Sequence, residues 1–217
     1  MIALHQVRPR FRWAQTLPLI LMMGVLACKA EPVTRTTPKG AFTLYVTSAR
    51  EGNYEAIYPM IVRDLQDKIA ATYQNVQTAR HLIEANYPPA LRNQALADLG
   101  RAEVRNADHV GRYFAALVGS AGKPALSTAE LLSSRLKPIE EKDLDQGGGR
   151  FILTTVSGAT LEFVRGGDDL YYMVPNPEDV QLLHREYLRS IERLAATQSA
   201  VASFRSQTNR PARVSPK

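Results

Sequence analysis

Paired cysteines are absent from this chain. Cys28 stands alone, so no intramolecular disulfide can form, and any folded part must draw its stability from an apolar core. Histidine is almost as sparse. Beyond the leader there are only His81, His109 and His184, far apart, and no His-x-x-x-His pair or second cysteine supplies the spacing of a zinc site. His81 and Glu84, at i and i+3, come nearest to a ligand pair and equally suit an ordinary salt bridge. Long apolar runs are missing too. Residues 13–27 are broken by Gln15 and Pro18, whereas a bilayer-spanning helix needs about 20 mostly apolar residues. Signatures of phosphate and acyl chemistry fail in the same way. Gly119-Ser120-Ala121-Gly122-Lys123 has the Gly-Lys pair of a phosphate loop, but Leu117 occupies its first glycine position and Pro124 replaces Ser or Thr. Gly147-Gly148-Gly149 reads as a turn before a strand, and no Gly-x-Ser-x-Gly elbow occurs. Asp168-Asp169 and Glu140-Glu141 read as turn acids.

The basic surplus is misleading. The chain carries 27 Lys and Arg against 21 Asp and Glu. Arg8, Arg10 and Arg12 lie in the leader, and Arg205, Arg210, Arg213 and Lys217 lie in an acid-free tail. The body between them is close to neutral. Nucleic-acid binders concentrate positive charge on the folded domain, so a nucleic-acid partner is not expected.

What is present begins with residues 1–27. Three arginines, then an apolar stretch, then Ala27 before Cys28 is the layout of a cleaved secretory signal peptide. The segment Val25-Leu26-Ala27-Cys28 resembles the lipobox of bacterial lipoproteins. That resemblance implies lipidation of Cys28, which becomes the first mature residue and carries three acyl chains, palmitate among them. Each buried methylene contributes about 0.8 kcal/mol and a single chain anchors only marginally, so three chains imply permanent attachment to a membrane of the cell envelope. Lys29 follows, where the family's inner-membrane retention signal is Asp, which points to the outer membrane. Residues 28–36 read as a tether. The eight after Cys28 reach roughly 26 Å when fully extended, which holds the domain close to its membrane. About 190 residues remain after cleavage, enough for one domain with a substantial core.

Residues 37–204 read as that domain. Thr37-Pro38 starts a helix with Phe42, Tyr45, Val46 and Ala49 on one face; Gly52 ends it and Asn53 caps the next element. Val62, Ile69, Val76 and Ile83 repeat every seven residues, with Leu65, Tyr73 and Ala79 between them, until Pro88-Pro89. Shorter helical patterns surround residues 91–99 and the group Val110, Tyr113, Phe114 and Leu117. Ser127-Thr128-Ala129-Glu130 matches a capping box. From Gly147 the period becomes two: residues 151–156, 160–165 and 170–174 read as strands joined at Ser157-Gly158 and Gly166-Gly167, with an earlier strand within 136–143. Leu161 and Phe163 face inward, Thr160 and Glu162 outward. Asn176-Pro177-Glu178-Asp179 starts a long helix with Val180, Tyr187, Leu194 and Val201 every seven residues, supported by Leu183, Ile191 and Phe204. Residues 205–217 read as a disordered basic tail. The two seven-residue repeats contain Thr72, Ser190 and Gln198, too polar for a strong coiled coil, and are expected to pack against each other.

Several N-terminal helices, an antiparallel β-meander and a long C-terminal helix make the fold class α+β, with a helical bundle carrying a β insert as the alternative. Thr37-Pro38-Lys39-Gly40-Ala41-Phe42 followed by Glu51-Gly52-Asn53-Tyr54-Glu55-Ala56-Ile57-Tyr58 resembles the opening of nuclear-transport-factor-like domains. The run from Leu161 to Tyr171 is similar to their closing hairpin. That resemblance implies a cone-shaped pocket between sheet and helix, but no position matches that family's catalytic sets, so no catalytic residue and no cofactor or metal ligand is assigned.

Two basic stripes remain: Arg185, Arg189 and Arg193, and Arg101, Arg105, His109 and Arg112 if that region is one helix. They suit phosphate headgroups or an acidic partner, or a solvated face balanced by Glu186 and Glu192. Three functional readings follow. The first is a non-enzymatic, lipid-anchored binding or scaffolding module with an envelope protein as partner. The second is a small-ligand pocket protein or enzyme. The third is a peptidoglycan tether through Lys217. A closed apolar core favours the first, and an open cavity lined by tyrosines and a lone carboxylate favours the second.

Overall fold

The cap expected at Thr37 forms. Its hydroxyl accepts the Gly40 amide at 3.0 Å, and Pro38 takes the first position of α1 (Pro38–Arg50). Gly52, at φ 68°, turns the chain away in the left-handed conformation that glycine adopts without a Cβ clash. Asn53 then caps α2 (Tyr54–Ile57), accepting the Ala56 amide at 3.2 Å. A short 3-10 turn, Tyr58–Met60, leads into α3 (Arg63–Asn86). Val62 precedes that helix although the seven-residue spacing counts it as helical. Ile61 instead forms a parallel β-bridge with Met173, and the Val62 amide donates to the Met173 carbonyl at 3.0 Å.

The computed structural model describes residues 33–121, 140–145, 147–154, 158 and 160–208. The leader, Cys28, the capping box at Ser127 to Glu130, the Ser157 turn position and the tail from residue 209, including Lys217, lie outside the described residues. All described residues belong to one unit that begins at Val33.

Pro88 and Pro89 separate α3 from α4 (Pro89–Asp98), and two short steps follow: α5 (Ala102–Arg105) and α6 (Val110–Ala121). Residues 101–112 are therefore not one helix. The chain leaves helical geometry at Asn106 (φ −97°, ψ 4°). Side chains of α3 hold the break open: Gln77 donates to the Arg105 and Ala107 carbonyls at 3.1 and 3.3 Å, and Tyr73 to the Asp108 carbonyl at 2.9 Å. These bonds satisfy carbonyls that would otherwise be orphaned.

Four strands, β1 (Glu140–Asp143), β2 (Arg150–Thr154), β3 (Thr160–Arg165) and β4 (Tyr171–Val174), pair antiparallel in chain order. Phe151 sits opposite Phe163, Leu153 opposite Leu161, and Phe163 opposite Met173. With period two, Leu153, Leu161 and Phe163 point into the core with the apolar face of α1. Glu140 and Glu141 lie in the strand expected within 136–143, and not in a turn. They pair with Thr154 and Leu153, because β2 would otherwise present an unpaired edge. Asp168 and Asp169 do lie in the β3–β4 turn. Gly149, just before β2, has φ 92°, where a Cβ would stand 2.7 Å from that of Arg165. Its carbonyl accepts the Arg165 amide at 2.7 Å.

Asn176 caps α7 (Pro177–Thr208), accepting the Asp179 amide at 2.8 Å. Seven helices and the meander, among the described residues, make the class α+β. α7 packs along α3. Asn75 donates to Ser190 at 3.0 Å and Arg205 to Asn86 at 2.9 Å, so the two helices run in the same direction. Their seam differs from the expected one in one respect. Its buried positions on α7 are Ser190, Thr197 and Val201, flanked by Tyr187 and Leu194, while Ile191 is 43% exposed. The helical twist puts Ile191 one position past the stripe that Ser190 continues. Opposite stand Thr72, Val76, Ala79 and Ile83. Small residues on both sides let the backbones approach closely, and the Ser190 hydroxyl is satisfied by donating to the Tyr187 carbonyl at 2.7 Å. The helix continues four residues past Phe204, where a tail was expected. Phe204 stacks edge-on against Tyr87, with ring centroids 5.1 Å apart.

This seam makes a prediction. Ala79, 1% exposed, has no room for a larger side chain, so Ala79→Leu lowers the unfolding free energy by about 1–3 kcal/mol. Ile191→Ser, off the seam, changes it by less than about 0.5 kcal/mol. Urea titrations of the two variants beside wild type check both.

Candidate ligand cavity

The first turns of α7 do not close on a filled core. Asp179, Leu182, Leu183 and Glu186 follow one another along one face at helical spacing and roof a cavity of about 360 Å³. Tyr45 and Ala49 of α1, with Tyr54 and Ile57 of α2, form one wall. Tyr113, Phe114, Leu117 and Val118 of α6 form another. Ile61, Met173 and Pro175 make the floor beside the β-bridge, and residues 99–101 with Val104 close the far end near Arg193. The volume falls within the range of small-molecule sites, about 300–1,000 Å³. The lining is predominantly aliphatic and aromatic.

Polar groups sit at two ends. Tyr45 is 4% exposed and Tyr113 2% exposed. Both line the cavity, and among the described residues neither hydroxyl has a hydrogen-bond partner. Buried polar groups are normally paired, so each is a donor available to whatever enters. Burial pushes the Tyr45 phenol well above its ordinary value, with the Asp179 charge and then Tyr54 adding to the effect. Burial likewise raises Tyr113, reinforced by Glu186 and opposed by Arg193. At neutral pH both phenols are therefore protonated. They serve as donors, not bases.

The carboxylates differ. Glu186 is engaged by Arg189 at 2.7 Å. Asp179 has no ion pair among the described residues. Burial raises its carboxyl above the usual value, the Asn176 hydrogen bond partly offsets this, and Glu178 adds repulsion. Arg193 lies 3.5 Å from the Leu99 carbonyl. No described lining residue is a histidine, serine, threonine or lysine. The arrangement offers an apolar surface, two free phenol donors and one unpaired carboxylate.

The residues singled out by sequence are mostly dispersed. Of the stripe on α7, Arg193 enters the cavity, Arg189 pairs with Glu186, and Arg185 is exposed. Of the other stripe, Arg101 lines the cavity, while Arg105 donates to the Leu96 and Gly100 carbonyls, both at 3.2 Å. Arg112 and His109 join Asp108 and Glu55 in a surface ion cluster. Glu84 is held by Arg80 at 2.8 Å, with His81 3.9 Å away. Asp168 accepts from Tyr172 at 2.5 Å and Arg63 at 3.2 Å beside a second, more open hollow whose charges are thereby paired. Asp179, Tyr45 and Tyr113 were legible only as a helix-start acid and as apolar-face positions. The available signal was a tyrosine where an aliphatic residue would fill a core.

No family model, curated protein or solved structure matches the chain.

Two outcomes follow from the geometry. Tyr113→Phe removes a hydroxyl with no partner, so the unfolding free energy changes by less than about 0.5 kcal/mol, against roughly 0.5–1.5 kcal/mol for a lost hydrogen bond. Asp179 has a raised folded-state pKa, so its ionisation costs stability that returns as pH falls through the carboxylate range. Asp179→Asn is therefore more stable than wild type at pH 7, and the difference vanishes once the carboxyl is protonated in both folded and unfolded chains. Thermal melts between pH 3 and pH 7 read this directly.

Proposed function

We propose that this is a lipid-anchored cell-envelope protein whose domain binds a small, mainly apolar molecule. The observation that carries the reading is the cavity of about 360 Å³, with two buried tyrosines and a carboxylate in its lining that have, respectively, no hydroxyl partner and no ion-pair partner among the described residues. A concave, mostly apolar space with a few convergent polar groups is the usual form of a small-molecule site, and a purely scaffolding module has no use for it. The lipobox-like segment ending at Cys28 supports the anchor and a place at the envelope, with the outer membrane favoured by Lys29. No helix of the described residues is long and apolar enough to cross a membrane.

Anchor and cavity are tested separately. Wild type starting at an acylated Cys28 by intact mass, and sedimenting with membranes, supports the anchor, with Cys28→Ala soluble or retained as precursor. An unmodified soluble wild type overturns it. For the cavity, the uncharged fluorophore phenylnaphthylamine is titrated into the full chain against an empty-micelle blank. Saturable one-to-one binding is expected, weakened at least tenfold in Ala49→Trp and in Leu183→Trp, each checked for a retained cooperative melt. Absence of saturable binding to wild type, by this probe and by smaller phenylbutyl compounds alike, overturns the reading.

A further inference from the structure

The cavity is apolar along its length and charged at its ends, and the two ends are not equivalent. At the far end Arg193 and Glu186 bring opposite charges near the same hydroxyl, since the Tyr113 phenol feels both, in opposite directions. Arg101 also lines that end, and Arg189 already pairs Glu186, so its charge is net positive and offers no seat for a cation. At the near end Asp179 stands with Tyr45 and Tyr54 and has no cation beside it among the described residues. The α7 N-terminus offsets part of its charge, and Asn176 takes the Asp179 amide. Even so, burial still raises the carboxyl, so compensation is incomplete. A second observation points into the same space. Tyr45, 4% exposed, presents an unpartnered hydroxyl and an aromatic face beside that carboxylate.

A half-buried carboxylate with no counter-ion among the described residues, beside the phenols of Tyr45 and Tyr54, matches one kind of guest. Anions are repelled by Asp179. A neutral molecule leaves the carboxylate unpaired. An ammonium group supplies the missing charge, donates to the carboxylate oxygens, and is attracted to aromatic faces. Beyond it, Leu182, Leu183, Ile57 and Phe114 provide an apolar wall for the rest of the molecule.

We infer that the cavity takes an amine: a molecule with an ammonium group seated at Asp179, beside Tyr45 and Tyr54, and an aryl or alkyl body lying along the apolar wall of α7 and α6. This rests on the proposed ligand-binding role of the same cavity, and a set of probes with one body and three charges separates the two. Phenylbutylamine, phenylbutanol and phenylbutyrate are compared on the full chain by equilibrium dialysis at pH 7, with empty micelles as blank. The amine is expected to bind at least tenfold more tightly than the alcohol, and the acid most weakly. Asp179→Asn brings the amine down to the affinity of the alcohol while leaving the alcohol unchanged. Glu178→Gln, on the exposed neighbour outside the lining, retains the preference.

Equal binding of amine and alcohol to wild type, tightest binding of the acid, or a preference that survives Asp179→Asn overturns the inference and leaves the cavity reading standing. So does binding of phenylnaphthylamine with none of the three phenylbutyl probes. Failure of all four probes overturns the cavity reading itself.

Discussion

One backbone hydrogen bond sets the geometry on which the rest depends. The Val62 amide donates to the Met173 carbonyl at 3.0 Å, next to the parallel bridge between Ile61 and Met173. Just after these two points the chain enters its two long helices, α3 and α7. Two helices that run in the same direction cannot be joined by a short turn, because the chain must return to the starting end. Here α4, α5, α6 and the meander make that return, and the bridge brings both starts to the same level. From that shared origin the residues of the seam come into register, Asn75 with Ser190 and Asn86 with Arg205.

The same origin explains why the cavity lies where it does. In the later half of α7 the seam is closed by small, buried residues, Ser190 and Thr197 against Thr72 and Ala79. In the first turns Val180 and Leu183 are only partly buried, and that end of α7 faces α1, α2 and α6 across open space. Close approach at one end and a bulky aromatic wall at the other leave a gap between them. Tyr45 and Tyr113 stand on that wall, their hydroxyls without a partner among the described residues. Partial burial of Asp179 raises its carboxyl above the usual value and sets this end of the cavity apart from the end lined by Arg101 and Arg193.

Much of the local structure was readable in advance because short-range chemistry decides it. Thr37 with Pro38, Asn53, and Asn176 with Pro177 mark helix starts through bonds made within three residues. The strand at residues 160–165 has its ends set by a change of period and adjacent turn residues. The misplaced features share another origin. Ile191 looks like a seam residue because it is apolar, yet the seam passes through Ser190, whose hydroxyl is satisfied by Tyr187 and Asn75. The basic stripe from Arg101 to Arg112 dissolves because α3, distant in sequence, supplies donors that hold a break at Asn106.

By itself the sequence determined the caps, the periodicities, the α+β class and the near-neutral charge of the body, all properties set by residues within a few positions of one another. It also carries the lipobox-like segment at Cys28. Tertiary structure alone decided that α3 and α7 run parallel, that Tyr45 and Tyr113 face a cavity and not a filled core, and that Asp179 has no counter-ion among the described residues. Those outcomes depend on which surfaces meet across more than a hundred residues of chain, and no spacing along the sequence encodes a space that is left empty.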